Sequence, residues 1–224
     1  MYFLQNTLPA NQYMNDIRTM SDIRQIVLHH TCGSSAQSAI SWWQQTPERV
    51  GTHFIIDKDG TVTQCFDLKY WAFHLYVASK SNQVPPQYKT ALHDRRLARA
   101  SVGIELVCAG ELTLEKGQYR SDFDTIIPTQ SVVVYEKAFR DFQYYEAYTS
   151  AQLASLGQLL KHLATLLPHI PTQYNEKMWD TNIAALKGEA GIWSHVSYRS
   201  DKSDCHPQKE LMELLKHTKY LKIQ

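Results

Sequence analysis

Two short apolar runs limit the fold of this chain more than any other feature. Gln25–His30 (QIVLHH) and residues 102–107 (VGIELV) are almost continuously apolar, a pattern typical of strands buried on both faces of a sheet. The first run ends in two histidines, and the second carries one acid, Glu105. Burying a carboxylate costs free energy, and such a group is usually found only where catalysis or a binding partner requires it. Glu105 is therefore the first functional candidate. A strand acid that faces solvent is the alternative interpretation.

Helical periodicity supplies the layers that cover such a sheet. Leucines recur at helical spacing after a capping box formed by Thr149 and Gln152. Ser34 or Ser35 can cap an earlier helix, because a serine side chain accepts a hydrogen bond from the first free backbone N–H groups. The predicted helices run from the serine cap to about Gln45, from Thr149 to Leu167, and from Pro207 to about Tyr220.

An antiparallel hairpin completes the pattern. The Asp-Gly pair at residues 59–60 supplies the positive φ of a tight turn between the runs 53–57 and 61–66. Strands that alternate with helices, together with this hairpin, predict an α/β fold with a central mixed β-sheet flanked by helices. No repeat or break in composition divides the chain, so residues 1–224 are predicted to form a single domain.

Two regions follow neither pattern. Residues 75–100 are polar, contain prolines and are basic, and they are predicted to form a long surface loop with one helical turn. Residues 110–148 are predicted to form an inserted hairpin with an irregular return. Because long loops beside a sheet edge often bind ligands, we expect selectivity to reside in these two regions.

Charge and cysteine content exclude several classes of protein. The formal net charge of +1 generates no field that would attract nucleic acid or an anionic membrane, and neither is predicted as a partner. No stretch approaches the ~18 uninterrupted apolar residues of a spanning helix, and residues 1–20 lack the pattern of a signal peptide. The cysteines are far apart in the sequence and are predicted to be free thiols, at Cys32, Cys65, Cys108 and Cys205.

Two histidine contexts stand apart. His29 and His30 end a buried strand, and His195 follows an apolar run and precedes a dense polar stretch at residues 199–206. Catalytic zinc takes three protein ligands from His, Cys and carboxylate side chains and keeps a fourth position open. Two strand-end histidines and one Asp or Cys satisfy that number, but their spacing alone is common by chance. Other histidines are predicted to be solvated, namely His93, His162, His169 and His217.

Six segments, taken in order, resemble the zinc-dependent N-acetylmuramoyl-L-alanine amidases of the type 2 family, whose fold is shared by peptidoglycan recognition proteins and certain phage lysozymes. They are residues 26–31 (IVLHHT), 52–62 (THFIIDKDGTV), 72–74 (AFH), 101–106 (SVGIEL), 148–153 (YTSAQL) and 195–207, which contains Lys202, Ser203, Asp204 and Pro207. The resemblance covers most of the chain and implies a zinc enzyme that cuts the amide between N-acetylmuramic acid and L-alanine.

The resemblance also implies a ligand set. The first histidine of the His-His-Thr element, His29, and the histidine that opens the C-terminal loop, His195, correspond to the first two zinc ligands. His30 is expected to orient the site or to pack beneath it. The third ligand usually lies two residues after a lysine, which selects Asp204 after Lys202.

The proline after the third ligand is displaced in this chain. In the family that ligand stands directly before a proline, whereas here Cys205 and His206 lie between Asp204 and Pro207. The lysine spacing favours Asp204. The shifted proline leaves Cys205 as an alternative ligand and His206 as a more remote one.

The catalytic residues follow from the same comparison. Glu105 matches the catalytic acid of the branch whose strand reads Gly-Ile-Glu, and Thr52 stands where phage-type relatives have a tyrosine, so Glu105 is expected to act alone. Lys202 is expected to stabilise the oxyanion, a contribution on the order of 3 kcal/mol for one donor. A surface cation that pairs with Asp201 or Asp204 is the alternative for Lys202. His74 matches a position close to the substrate.

The expected partners are peptidoglycan or muropeptide fragments, bound by a monomer. Four tryptophans could line a cleft, although tryptophan is more often a core residue. Three arginines could contact peptide carboxylates, although exposed arginines are more often only solvated. These residues are Trp42, Trp43, Trp71 and Trp193, and Arg95, Arg96 and Arg99. A non-catalytic recognition module and an enzyme that cuts another amide are the competing functions. The lack of an export signal favours a cytoplasmic recycling enzyme or an endolysin.

Overall fold

A six-stranded mixed sheet forms the centre of the protein, for which a computed structural model describes residues 4–5, 8, 17–46, 49–77 and 84–217. The strands of this main sheet are β1 (Leu4–Gln5), β2 (Gln25–His30), β3 (Phe54–Ile56), β4 (Val62–Gln64), β5 (Ser101–Leu106) and β11 (Gly191–Ser194). Their order is β1-β4-β3-β5-β2-β11. Strand β2 runs parallel to β5 and β11, and β3 runs parallel to β5 but antiparallel to β4.

Both predicted apolar runs are central strands, since every residue of β2 is buried and β5 is buried except at Glu105. The Asp-Gly turn also forms as predicted: Gly60 has a φ of +87°, and its N–H donates to the Asp57 carbonyl at 2.8 Å. A side chain would be strained at that φ. The predicted mixed sheet is therefore confirmed at its centre.

Helices cover both faces of the main sheet. They are α1 (Ala36–Gln45), α2 (Ala91–Arg99), α3 (Ser150–Leu166), α4 (Ile183–Lys187) and α5 (Lys209–His217). Helix α1 buries Ile40 and Trp43 against Ile55 on one face, and α3 buries its leucines against Ile56 on the other. The caps form as predicted, with Ser35 accepting from the Ser38 N–H at 3.1 Å and a capping box at Thr149.

The C-terminal helix is shorter than the predicted helix within the described residues, because it begins at Lys209, two positions after Pro207. Residues 218–224, which include the predicted end at Tyr220, lie outside the described ranges. No helix within those ranges is long and apolar enough to cross a membrane. All four cysteines are free thiols, as the sequence predicts.

Residues 110–148 form a second sheet rather than the predicted hairpin with an irregular return. Its order is β8-β7-β6-β10-β9, and every pairing is antiparallel. The strands are β6 (Glu111–Glu115), β7 (Gln118–Arg120), β8 (Ile126–Ile127), β9 (Val132–Phe139) and β10 (Phe142–Glu146). The prediction was wrong because two tight turns of this sheet are formed by Lys116-Gly117 and Arg140-Asp141. These residues have positive φ without the usual Asn-Gly or Asp-Gly sequence.

The prediction of a long loop at residues 75–100 was also wrong in part. Helix α2 occupies the end of this segment and is capped by Thr90, whose hydroxyl accepts from the His93 N–H at 3.1 Å. His93 is buried rather than solvated and packs on Tyr88 at a ring distance of 5.0 Å. The basic composition of α2 concealed its buried face. Residues 78–83 lie outside the described ranges.

Replacing Gly103 by alanine is expected to destabilise the fold. An added Cβ would lie 2.7 Å from Thr52 Cγ2 and 3.2 Å from His74 Nδ1, and both neighbours are buried. Overpacking of this kind costs about 1–3 kcal/mol of unfolding free energy, measurable by urea denaturation. Gly33→Ala is the control, since its nearest contact would be an ordinary 3.5 Å. Equal stability of the two variants would contradict the prediction.

Candidate metal and catalytic centre

The register of the main sheet brings three distant segments to one edge. His29 pairs with Glu105 across β2 and β5, so their side chains leave the same face side by side at the carboxyl ends of two parallel strands. Strand β11 lies on the other side of β2 and ends at Ser194, directly before His195. The loop that follows returns Asp204 to the same place.

Three side-chain atoms converge at this edge. His29 Nδ1 lies 3.2 Å from His195 Nδ1 and 3.1 Å from Asp204 Oδ2. His195 Nδ1 lies 2.9 Å from the same carboxylate oxygen. All three residues are buried, and their donor atoms form a nearly equilateral triangle.

The tautomer of His195 follows from its second nitrogen. His195 Nε2 lies 2.9 Å from the Leu75 carbonyl oxygen, which can only accept a hydrogen bond. The proton of a neutral His195 ring is therefore on Nε2. Its Nδ1 presents a lone pair to the triangle.

A chain of hydrogen bonds fixes the tautomer of His29 in the same way. The Ser101 hydroxyl donates to the Leu97 carbonyl at 2.8 Å, so it accepts from His74 Nε2 at 2.8 Å. His74 Nδ1 is then the acceptor for His29 Nε2 at 2.9 Å. The proton of His29 is consequently on Nε2, and its Nδ1 also presents a lone pair to the triangle.

These donors fit a metal ion better than they fit one another. In these tautomers two imidazole lone pairs and a carboxylate face each other at about 3 Å, an arrangement that a shared cation stabilises. For tetrahedral ligands at ~2.0–2.1 Å from zinc, the separation between ligand atoms is ~3.3–3.4 Å. The observed triangle has nearly this size, so His29, His195 and Asp204 could hold such an ion.

The two alternative third ligands point away from the triangle. Cys205 is fully buried in the hydrophobic core. His206 uses both nitrogens elsewhere, with Nδ1 at 2.8 Å from the Tyr135 hydroxyl and Nε2 at 3.0 Å from the Glu146 carbonyl. Burial alone would raise the pKa of Asp204, but the neighbouring His195 and His29 lower it well below 3.8, so the carboxylate is ionised.

Glu105 lies beside this centre with an unsatisfied oxygen. Its Oε2 is buried and has no hydrogen-bond partner in the described part of the chain. Burial and the charge of Asp204 raise the pKa of Glu105 well above 4.5, and Lys202 opposes that shift. A half-buried carboxyl group with a raised pKa and one buried, unpartnered oxygen is suited to proton transfer.

Lys202 lines the same cavity as Glu105. Asp201, one of the two partners that the alternative interpretation assigned to Lys202, pairs instead with Arg199, at 2.6 Å. The position of Lys202 is therefore compatible with contact to a bound substrate.

A cavity of about 700 Å³ opens over the centre. One wall comes from α1 and contains Trp42 and Trp43, and another comes from the second sheet and contains Phe123 and Ile127. Trp42 and Phe123 are the exposed members, at 58% and 75%. An apolar cleft with a few convergent polar groups at its base is the usual form of a ligand site.

Other aromatic and basic candidates lie away from this cavity. Trp71 and Trp193 are buried core residues, which agrees with the simpler of the two interpretations. The guanidinium of Arg95 lies over the Trp71 ring at 5.6 Å, and Arg99 pairs with Asp22 at 3.4 Å. Neither arginine is among the residues that line the cavity.

His74 has a contact that the sequence did not predict. Its ring borders the cavity, but both of its nitrogens are used within the protein, one by His29 and the other by Ser101. The hydrogen bonds therefore connect His74 to a ligand candidate. Contact between its ring and a substrate stays a prediction.

Residues 19–207 match the family model described as N-acetylmuramoyl-L-alanine amidase. The chain belongs to this family. The predicted family and enzyme class are thereby confirmed, in agreement with the mixed-sheet fold, and peptidoglycan is the class of substrate on which the family acts. No curated protein sequence matches the chain significantly.

Solved structures with this fold are distant in sequence. The structure of PlyL is 12% identical, with a TM-score of 0.51, and the match covers 97% of this chain and 99% of that chain. The N-acetylmuramoyl-L-alanine amidase LysC from Clostridium intestinale URNW is 13% identical, with a TM-score of 0.45 and coverage of 96% and 95%. At this identity the likeness to PlyL supports the fold alone.

Sequence reasoning missed the cavity wall that the second sheet contributes. Ser121, Phe123, Thr125 and Ile127 border the cavity although they lie some twenty residues after β5. A usable signal was present, because Phe123 is an aromatic residue between two aspartates in a polar stretch, where burial is not expected.

Histidines around the centre are buried in their neutral forms. Burial lowers the pKa of His29 to about 4, opposed by the hydrogen bond that the protonated ring would donate to Asp204. Burial, together with neighbouring cationic or imidazole groups, lowers the pKa of His53, His74 and His206 well below 6.5. The folded chain therefore resists protonation at sites that the unfolded chain protonates readily.

Acid is expected to destabilise the metal-free protein. Below pH 6.5 the unfolded chain binds protons at His53 and His206 that the folded chain does not, so the free energy of unfolding falls by up to ~1.4 kcal/mol per pH unit for each histidine. Urea denaturation with a chelator at pH 7.5 and 5.0 measures the slope. His53→Gln should reduce it, whereas His217→Gln, an exposed control, should not. Stability that is unchanged in acid would contradict the prediction.

Proposed function

We propose that this enzyme is a zinc-dependent hydrolase that cuts the amide between the lactyl group of N-acetylmuramic acid and L-alanine. The observation that carries the proposal is the triangle of donor atoms from His29, His195 and Asp204, which lie 2.9–3.2 Å from one another. Zinc held by these three residues would supply Lewis acidity, which lowers the pKa of water toward ~7 and polarises a carbonyl group.

Glu105 moves the proton in this proposal. Its carboxylate takes a proton from the attacking water and returns it to the amide nitrogen as the amine departs, so one group serves both halves of the reaction. The pKa of Glu105, raised by burial, brings the group nearer to the neutral range in which such an exchange is efficient. Its unpartnered Oε2 is the atom available for the transfer.

Lys202 and His74 act on charge and position. Lys202, at the wall of the cavity, stabilises the negative oxygen that forms at the scissile carbonyl. His74 accepts from His29 Nε2 and donates to Ser101, which holds the His29 ring with Nδ1 toward the metal. His74 is thus proposed as a positioning residue.

We propose that residues 1–224 form one amidase domain, that the second sheet is an insertion, and that the enzyme acts as a monomer.

The cavity walls determine which fragments bind. Trp42 on α1 and Phe123 on the second sheet expose apolar ring faces suited to the faces of sugar rings. Peptidoglycan and soluble muropeptides both present such rings next to a short peptide.

Glu105→Gln is expected to lower kcat by about 10²–10⁴-fold while zinc content stays at the wild-type level, because the amide cannot accept and return the proton. The assay is release of the peptide from a purified muropeptide, with metal measured by mass spectrometry. The control is Glu115→Gln, which removes an exposed acid on β6. Full activity of Glu105→Gln would exclude Glu105 as the general base.

Asp204→Ala is expected to lower zinc content by about one ion per chain, since two neutral imidazoles alone bind zinc weakly. Cys205→Ala should keep wild-type zinc content, because Cys205 packs in the core. Metal analysis of both proteins, with circular dichroism to verify folding, separates the two candidate ligands. Zinc loss in Cys205→Ala without loss in Asp204→Ala would reverse the assignment.

A further inference from the structure

A second group of potential ligands lies next to the proposed zinc centre. His30, Cys32 and Glu111 each offer one ligand atom within 4.8 Å of the other two, and His30 Nε2 lies 4.0 Å from Glu111 Oε2. His30 is the last residue of β2, Cys32 lies in the loop that follows, and Glu111 is the first residue of β6. His30 and Cys32 border the same cavity as the first centre. The donors are nitrogen, sulfur and oxygen, the three kinds that zinc accepts.

His30 presents a buried nitrogen that nothing in the described chain satisfies. The residue is 4% exposed, and its Nε2 has no hydrogen-bond partner within the described ranges. Its nearest acidic atom, Glu111 Oε2, is 4.0 Å away, too far for a hydrogen bond. Buried polar atoms are nearly always paired, so an unpaired one of this kind indicates a missing partner.

The other nitrogen of His30 indicates which partner is missing. His30 Nδ1 lies 3.0 Å from the Tyr148 hydroxyl oxygen, which also accepts from the His206 N–H at 3.0 Å. Because the Tyr148 hydroxyl oxygen can also accept from His30 Nδ1, the His30 tautomer with its proton on Nδ1 is satisfied, and in that tautomer Nε2 presents a lone pair. A lone pair calls for a proton donor or a cation.

Glycine at position 110 leaves room for a cation between two of these donors. A Cβ at Gly110 would lie 3.0 Å from His30 Nε2 and 3.3 Å from Cys32 Sγ, so any side chain there would fill the space between them. The φ of +80° also favours glycine. The space between these donors is thus bordered by the imidazole of His30, the thiol of Cys32 and the backbone of Gly110.

Glu111 is held in place as a ligand would be. The Ser203 hydroxyl donates to Glu111 Oε2 at 2.7 Å, which fixes the carboxylate from outside the group of donors. Ser203 directly precedes Asp204, and His30 directly follows His29. In each of these two pairs, one side chain belongs to the first centre, and the other belongs to the second group or contacts it.

We propose that His30, Cys32 and Glu111 form a second zinc site in the wall of the substrate cavity. Three protein donors leave one coordination position for water or for a group on the substrate. The mixed nitrogen, sulfur and oxygen set favours zinc over magnesium or calcium, which prefer oxygen alone. The site is independent of the first centre, since the two share no ligand.

Zinc stoichiometry of the chain of residues 1–224 tests the proposal. Wild type saturated with zinc and freed of excess metal should hold about two ions per chain, and Cys32→Ser and Glu111→Gln should each hold about one. Cys65→Ala and Glu115→Gln are matched controls, with a core thiol and an exposed acid of β6, and should keep two. Circular dichroism verifies folding, and Glu111→Gln tests the site without altering the thiol.

Cobalt substitution identifies which site is affected. The first centre has no sulfur donor, so a thiolate-to-cobalt charge-transfer absorption can come only from the second. It should be present in wild type and in Asp204→Ala and absent in Cys32→Ser. One zinc per chain in wild type without that absorption, or two zinc ions retained in both Cys32→Ser and Glu111→Gln, would overturn the second site. Loss of one ion in Asp204→Ala reports separately on the first centre.

Discussion

The chemistry of this protein depends on the parallel register of three strands. Because β5, β2 and β11 run in the same direction, their carboxyl ends meet, and one register places His29 beside Glu105 and His195 one strand away. A shift of one residue would turn His29 toward the opposite face. The apolar residues that precede these ends, buried under α1 and α3, make such a shift very costly. Core packing therefore holds the centre together.

Burial of polar groups is the cost of this arrangement, and hydrogen bonding is what offsets it. Each imidazole that reaches the centre directs its other nitrogen to a defined acceptor: the Leu75 carbonyl for His195, and His74 for His29. These bonds select the tautomers, so the lone pairs face inward before any ion arrives. Seven buried side-chain atoms lack a partner in the described chain, and the two that belong to residues lining the cavity, Glu105 Oε2 and His30 Nε2, are the ones to which we assign roles toward a reactant or a metal.

Local signals explain how far the sequence could predict this structure. The capping box at Thr149 and the turn at Gly60 depend on a few adjacent residues, and both form as predicted. The second sheet was missed because its turns at Lys116 and Arg140 carry no sequence signature. The family resemblance favoured Asp204 through its spacing from Lys202, but the sequence could not exclude Cys205 and His206, since an irregular loop has no periodicity that reveals side-chain direction. Only tertiary contacts separate them.

The segment between β4 and β5 has a consequence for how such enzymes diverge. It supplies the Leu75 carbonyl to His195 near one end and, from α2, the Leu97 carbonyl that terminates the hydrogen bonds behind His29 near the other. A segment that provides no metal ligand therefore orients the imidazoles of both His29 and His195. Substitutions that accumulate there can retune catalytic proficiency while every residue of the centre stays the same, so conservation of the ligands alone is a poor guide to conserved activity.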